Sequence, residues 1–267
     1  MFELSRTVRF FINDDVDTSS KRRNGHSAWP PPHGLGRYFE LNVSCQGEPN
    51  ATSGYFLNIH QIDTAVRSQA IPILHESVSG PGPSGLGVIM QTILARLQPP
   101  LHDSVSSARL NISPHHSVTI RSQRMHHVLI RQEFEFAAAH RLNVEAWSEE
   151  ENRRYFGKCN NPSGHGHNYR VEVAVEAPID AEGHVRRVED LDDLVEREVI
   201  TCFDHKNLNV DVPQFETLNP SVEHIAMVVY GMLEEPIKTL GVNLHEIRVW
   251  ETERTVCTYR GKAKREA

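Results

Sequence analysis

The chain has 267 residues, 39% hydrophobic and 24% charged, with a net charge of −7. At roughly 150 residues per domain that allows one large domain or two small ones, and a core of that size needs no disulfide scaffold. The acidic balance argues against a nucleic-acid binder that works through a basic surface, and no apolar run reaches the roughly 18 residues of a membrane span.

Taken along the chain, the first half offers loop punctuation at residues 30–32, a strand on which Phe39, Leu41 and Val43 share a face, and a turn at 54–58. A helical pattern around Asp63 follows, then more punctuation at 80–85 and a second helix around Met90. A boundary falls near residues 122–127. In the second half, 128–137 (VLIRQEFEFA) alternates as a strand, and 168–177 (NYRVEVAVEA) places Val171, Val173 and Val175 on one face of another. DAEG at 180–183 is a tight turn. Residues 189–203 carry Leu191, Leu194, Val195 and Val199 at helical spacing, with acids at the start. A second helix at 220–235 has Ser221 near its N-terminus and a stripe of Ile225, Val228, Val229 and Leu233. Residues 246–251 and 256–260 are the last strands. The order is β-β-α-α-β-β.

The halves read as one pattern written twice. His33-Gly34-Leu35 falls under His165-Gly166-His167, Phe39, Leu41 and Val43 under Val171, Val173 and Val175, and residues 54–58 under 183–187. Asp63 meets Asp192, Pro83-Ser84 meets Pro220-Ser221, and Met90 meets Met227. The expectation is two units, 1–125 and 126–267.

Chemistry concentrates in GKCNNPSGHGHNY, residues 157–169. His165 and His167 are two apart, so a strand sends both side chains to one face. His140, ending the preceding strand, could complete a set of three neutral imidazoles with an open position, the pattern of a catalytic zinc site. Taken alone, H-x-H is a weak signal, since many such histidines are surface or core residues. Cys159 lies in a polar loop beside Lys158 and near the presumed metal, conditions that lower a thiol pKa and suit a nucleophile or base. Cys45, Cys202 and Cys257 sit in regular patterns and read as packing residues in a reduced, cytoplasmic protein. The N-terminus, MFELSRTVRFFINDD, lacks a signal-peptide core. Asp204 beside His205 at a helix end could orient a proton-transfer imidazole. Glu251 at a strand end could accept two N–H donors from a heterocycle. The pairs His115-His116 and His126-His127 read as strand or linker residues.

Together, FEFAAAHRL, EENRRYFGKCNNPSGHGHNY, DAEG, FDHKNLN, NPSVEHIA and VWET resemble the 6-pyruvoyl-tetrahydropterin synthase family, which includes 6-carboxytetrahydropterin synthase of queuosine biosynthesis. The resemblance covers residues 128–261. It implies an α+β tunnelling fold (T-fold), whose unit is a four-stranded antiparallel sheet with two helices on one face. It further implies that His140, His165 and His167 hold Zn²⁺, that Cys159 abstracts a proton, and that Asp204 and His205 complete the relay. Glu251 would anchor the pterin ring, and Ser221 would keep a hydroxyl for pterin contact. The implied reaction takes 7,8-dihydroneopterin triphosphate to 6-pyruvoyl-tetrahydropterin with loss of triphosphate. Loss of acetaldehyde as well would give the 6-carboxy product. The C-x5-H-G-H spacing resembles the pyruvoyl-forming branch. Non-catalytic pterin binding, or another T-fold activity such as a GTP cyclohydrolase or a dihydroneopterin epimerase, is the competing expectation. His224 stands where the family often has asparagine.

In the first half, Asp15 lies under His140, His33 under His165, Leu35 under His167, Ser27 under Cys159, and His75-Glu76 under Asp204-His205. Glu251 falls on Ser113 or Pro114. The first copy is therefore expected to bind no catalytic zinc. It would be kept for its shape, in a homo-oligomer such as a trimer of two-unit chains with no nucleic-acid or membrane partner.

Overall fold

A computed structural model describes residues 1–14, 25–83 and 85–262. Two positions matched above, Asp15 and Ser84, lie outside them. The chain is α+β and divides into two compact units, Met1–Ile130 with Ala177–Val185, and Arg131–Glu176 with Arg186–Ala267. Among the described residues no helix is long and apolar enough to cross a membrane.

Unit 1 runs β1 (Phe2–Ile12), β2 (Arg37–Gly47), α1 (Ile59–Ala65), a π-helical turn (Val66–Ala70), α2 (Ile71–Ser79), α3 (Leu86–Leu97), β3 (Val105–Ser113) and β4 (His116–Arg121). Its strands are antiparallel in the order β1-β2-β3-β4. Alternation sends Val8, Phe10, Leu41, Val43, Ala108, Leu110, Val118 and Ile120 to one face, all buried. Ile62, Val66 and Leu74, with Ile89, Met90, Ile93, Leu94 and Leu97, supply the helical side of this core. Each such side chain contributes roughly 1.5–3 kcal/mol of transfer free energy. Arg6 clamps the helix layer to β1 by donating to both oxygens of Asp63, at 3.0 and 2.9 Å.

Unit 2 holds most of β5 (His127–His140), α4 (Glu149–Phe156), most of β6 (His165–Pro178), α5 (Val188–Val195), a π-helical turn (Glu196–Ile200), α6 (Thr201–Phe203), β7 (Lys206–Asn207), α7 (Leu208–Asp211), α8 (Val222–Thr239), β8 (Asn243–Thr252) and β9 (Thr255–Tyr259). The sheet order is β5-β6-β8-β9, with β7 parallel to β5. Val171, Val173, Ile247 and Val249 pack under Val195, Val199, Ile225, Val229 and Leu233, and all are buried. The second predicted helix outlasts its expected end at residue 235. Pro236 removes one backbone donor, yet buried Ile237 keeps the last turn seated to Thr239.

Each unit carries irregularities in its strand pairing. Strand pairing slips at Ser44/Cys45 in unit 1 and at Ala174/Val175 in unit 2. The final hairpins slip between Asn111 and Ser113 and between Trp250 and Thr252. The ring pair Phe10–Phe39 answers Phe136–Tyr169, and Arg6–Asp63 answers Gln132–Asp192. The buried stripe from Ile89 to Leu97 repeats that from Ile225 to Leu233.

Candidate active site

The site forms where β5 ends, β6 begins and β8 ends. His140 is the last residue of β5 and has 0% exposure. His165 and His167 open β6 on its helix-covered face. Gly164 makes the approach possible. Its φ is +72°, and a Cβ there would lie 3.1 Å from the His140 carbonyl oxygen. One ring nitrogen from each of the three imidazoles lies within 4.8 Å of the others.

The hydrogen bonds decide the tautomer of His140. Its Nδ1 is 2.7 Å from the Pro220 carbonyl oxygen, which can only accept, so Nδ1 carries the proton and Nε2 offers a lone pair. That Nε2 sits 3.1 Å from His165 Nε2. His167 Nε2 is buried with no hydrogen-bond partner. Burial pushes the pKa of His140 and of His167 below the ordinary value, outweighing the nearby Glu251 carboxylate. Three converging imidazole nitrogens, with the outer nitrogen of His140 anchored on a carbonyl, form a donor set that fits a divalent metal such as zinc.

Glu251 sits at the slip in the last hairpin, and such an irregularity re-aims a strand side chain. Its Oε1 lies 3.6 Å from His140 Nε2 and 3.8 Å from His167 Nε2.

Cys159 rides on a 3₁₀ turn, Gly157–Asn160, and is partly exposed. Its carbonyl accepts from Leu142 N at 2.9 Å, which pins it beside the chain leaving His140. Asn160 donates to the Leu142 carbonyl at 2.8 Å. Buried Asn152 ties the same loop through Val144, Trp147 and Ser148. Asn152 lies on α4, which starts in a capping box between Ser148 and Glu151.

Asp204 and His205 pair with each other, His205 Nδ1 lying 2.7 Å from Asp204 Oδ2. The other oxygen of Asp204 accepts from Ala137 N at 2.8 Å, and His205 N donates to the Ala137 carbonyl at 2.6 Å. The Ala137 N–H, then His205, hold the Asp204 pKa below its usual value. His205 adopts φ +57° and projects into solvent, its side chain 84% exposed. It lines a groove with Ala137, Ala138, Gly166, His167 and Asn207. Ser221 caps α8, accepting from His224 N at 3.4 Å, and its hydroxyl also holds the Glu223 carboxylate, whose pKa is lowered.

The structure thus gathers His140, His165, His167 and Glu251 tightly, places Cys159 on the adjoining loop and the Asp204–His205 pair on the groove edge, and sets Ser221 at the helix start behind Pro220. Two participants escaped the sequence. One is the Pro220 carbonyl, a backbone group invisible to side-chain motifs. The other is Tyr169, the next same-face residue after His167. Tyr169 is wholly buried, its hydroxyl has no hydrogen-bond partner, and its ring stacks on Phe136 at 4.9 Å. Burial, then the charges of Glu251 and Cys159, drive its pKa up.

Residues 129–262 match the family model described as 6-pyruvoyl tetrahydropterin synthase. The 6-pyruvoyl tetrahydrobiopterin synthase of Homo sapiens is 40% identical over 134 residues, covering 50% of this chain and 91% of that protein. That of Poecilia reticulata is 42% identical over 129 residues, covering 48% and 86%. The solved structure of Caenorhabditis elegans 6-pyruvoyl tetrahydropterin synthase is 34% identical with a TM-score of 0.48, covering 51% of this chain and 96% of that one.

Proposed function

The chain belongs to the 6-pyruvoyl tetrahydropterin synthase family, and on that premise we propose that unit 2 converts 7,8-dihydroneopterin triphosphate to 6-pyruvoyl-tetrahydropterin and triphosphate at a zinc ion held by His140, His165 and His167. The observation that carries this reading is the convergence of three imidazole nitrogens with the His140 tautomer set by Pro220. When bound there, zinc supplies Lewis-acid polarisation of the substrate side-chain oxygens.

The chain's own residues do the rest. Cys159 takes a proton from the substrate side chain. His205 keeps Nδ1–H on Asp204, so Nε2 is the end that exchanges protons in the groove. Glu251 offers two acceptor oxygens to the N–H groups of the pterin, and Ser221 contributes its hydroxyl at the rim. Four free cysteines suit a reducing cytoplasm.

We read unit 1 as a degenerate copy. Asp14, Leu35, Arg37 and Ile112 occupy the positions of His140, His165, His167 and Glu251, and neither Leu35 nor Ile112 can ligate a metal. Where unit 2 opens a cleft, Asn13 closes the chain by donating to the Pro31 carbonyl at 3.0 Å and accepting from His33 N at 2.9 Å. Assembly as a trimer of two-unit chains follows from the same reading, since sheets need neighbours to cover their edges. An active monomer by light scattering refutes it.

The deciding experiment incubates the full chain with zinc and dihydroneopterin triphosphate and identifies products by mass. Triphosphate with the pyruvoyl product supports the proposal. Release of acetaldehyde assigns the 6-carboxy reaction of queuosine biosynthesis instead. No turnover, with Cys159→Ala indistinguishable from the parent, assigns a pterin-binding module.

A further inference from the structure

We propose that His224 is a positioning residue for the metal centre, acting through the Asn219 carbonyl to aim the Pro220 carbonyl at His140. The inference rests on reading His140, His165 and His167 as metal ligands.

Pro220 can hold His140 in place only if its own peptide is held. A trans peptide points its C=O and the next N–H in opposite directions. Ser221 N donates to the Asn219 carbonyl at 2.7 Å, so the Pro220 carbonyl in that same peptide is turned the other way, onto His140 Nδ1. The orientation therefore depends on the Asn219 carbonyl staying in place. His224 Nδ1 is 2.7 Å from that oxygen, and a carbonyl only accepts, so His224 donates to it. The Asn219 side chain is tied as well, accepting from Asn143 N at 3.1 Å. The proline ring removes freedom at the next φ.

His224 lies in the first turn of α8, where its own N–H reaches Ser221 Oγ. One residue thus grips both sides of the turn, and α8, seated by buried Ile225 and Val229, serves as the rigid support. Asparagine also carries a side-chain N–H donor. The donor is what the two side chains share, so His224→Asn is the substitution that keeps the contact to the Asn219 carbonyl.

The test measures zinc affinity of the full chain by competition with a chromophoric chelator, a readout separate from turnover. Removing support behind a ligand imidazole typically costs 10–100-fold in metal affinity. His224→Ala, one step further out, is expected to weaken zinc about tenfold. His224→Asn restores the donor and is expected to bind within about threefold of the parent, on the same scale. His224→Phe keeps the ring volume without the donor and carries the expectation of the alanine variant should that variant not fold. Parental affinity in His224→Ala or His224→Phe overturns the inference, as does an asparagine variant as weak as alanine. A parent chain that takes up no zinc overturns the metal reading itself.

Discussion

Tyr169→Phe is expected to stabilise the metal-free protein while impairing its chemistry. The side chain is wholly buried, and its hydroxyl finds no hydrogen-bond partner. An unsatisfied buried polar group costs about 1–3 kcal/mol. Phenylalanine removes that cost and keeps the ring on Phe136, 4.9 Å away at 19°. The vacated oxygen leaves a small void that offsets part of the gain, so the expected net is about +1 kcal/mol. For a folding unit the size of unit 2, between the small-domain and large-domain cases, that raises Tm by about 3–5 °C. The assay is thermal and urea unfolding of chelator-treated parent and variant, followed by turnover after zinc is restored. Turnover is expected to fall, because a hydroxyl tolerated at such cost, on a ring packed against those of His140 and His167, is expected to serve a bound ligand. A variant less stable than the parent by 0.5 kcal/mol or more (roughly the smallest net worth of a made hydrogen bond) refutes the reasoning, since it would mean that the hydroxyl is already satisfied.

Three further outcomes follow from the site. His140 and His167 have folded-state pKa values lowered from 6.5 by burial. Their contribution to metal-free stability is therefore fully present above pH 6.5 and is lost as pH falls towards the lower folded values, because the unfolded chain binds protons first; urea midpoints flat across that range contradict it. Cys159→Ser is expected to lower kcat by about 10²-fold or more while zinc per chain stays at one, measured by atomic absorption, since the cysteine is the proposed base and not a ligand; two zinc ions per chain would instead mean that unit 1 holds metal. Gly164→Ala forces a side chain into φ +72° and a Cβ to 3.1 Å from the His140 carbonyl, so a loss of about 1–2 kcal/mol is expected, with weaker zinc binding because His140 and His165 are pushed apart. Unchanged zinc affinity there would show that the turn does not set the ligand spacing.

The amino-acid order carried the local chemistry. Period-two alternation at Val171, Val173 and Val175 and helical spacing at Leu191, Leu194 and Val195 follow from which faces must leave water, so the elements could be read directly. H-x-H on a strand likewise places two imidazoles on one side whatever the surroundings. Long-range registration was another matter. That Glu251 comes within reach of His140 depends on a slipped hairpin. Loop lengths absorb such shifts without leaving a mark in the pattern. The tautomer of His140 was also beyond a side-chain motif, because the group that sets it is the backbone carbonyl of Pro220, brought to it across 80 residues of chain by the seating of α8. Side-chain type and spacing picked out the three histidines, but the packing of strands and helix sets the distances and proton positions on which their chemistry depends.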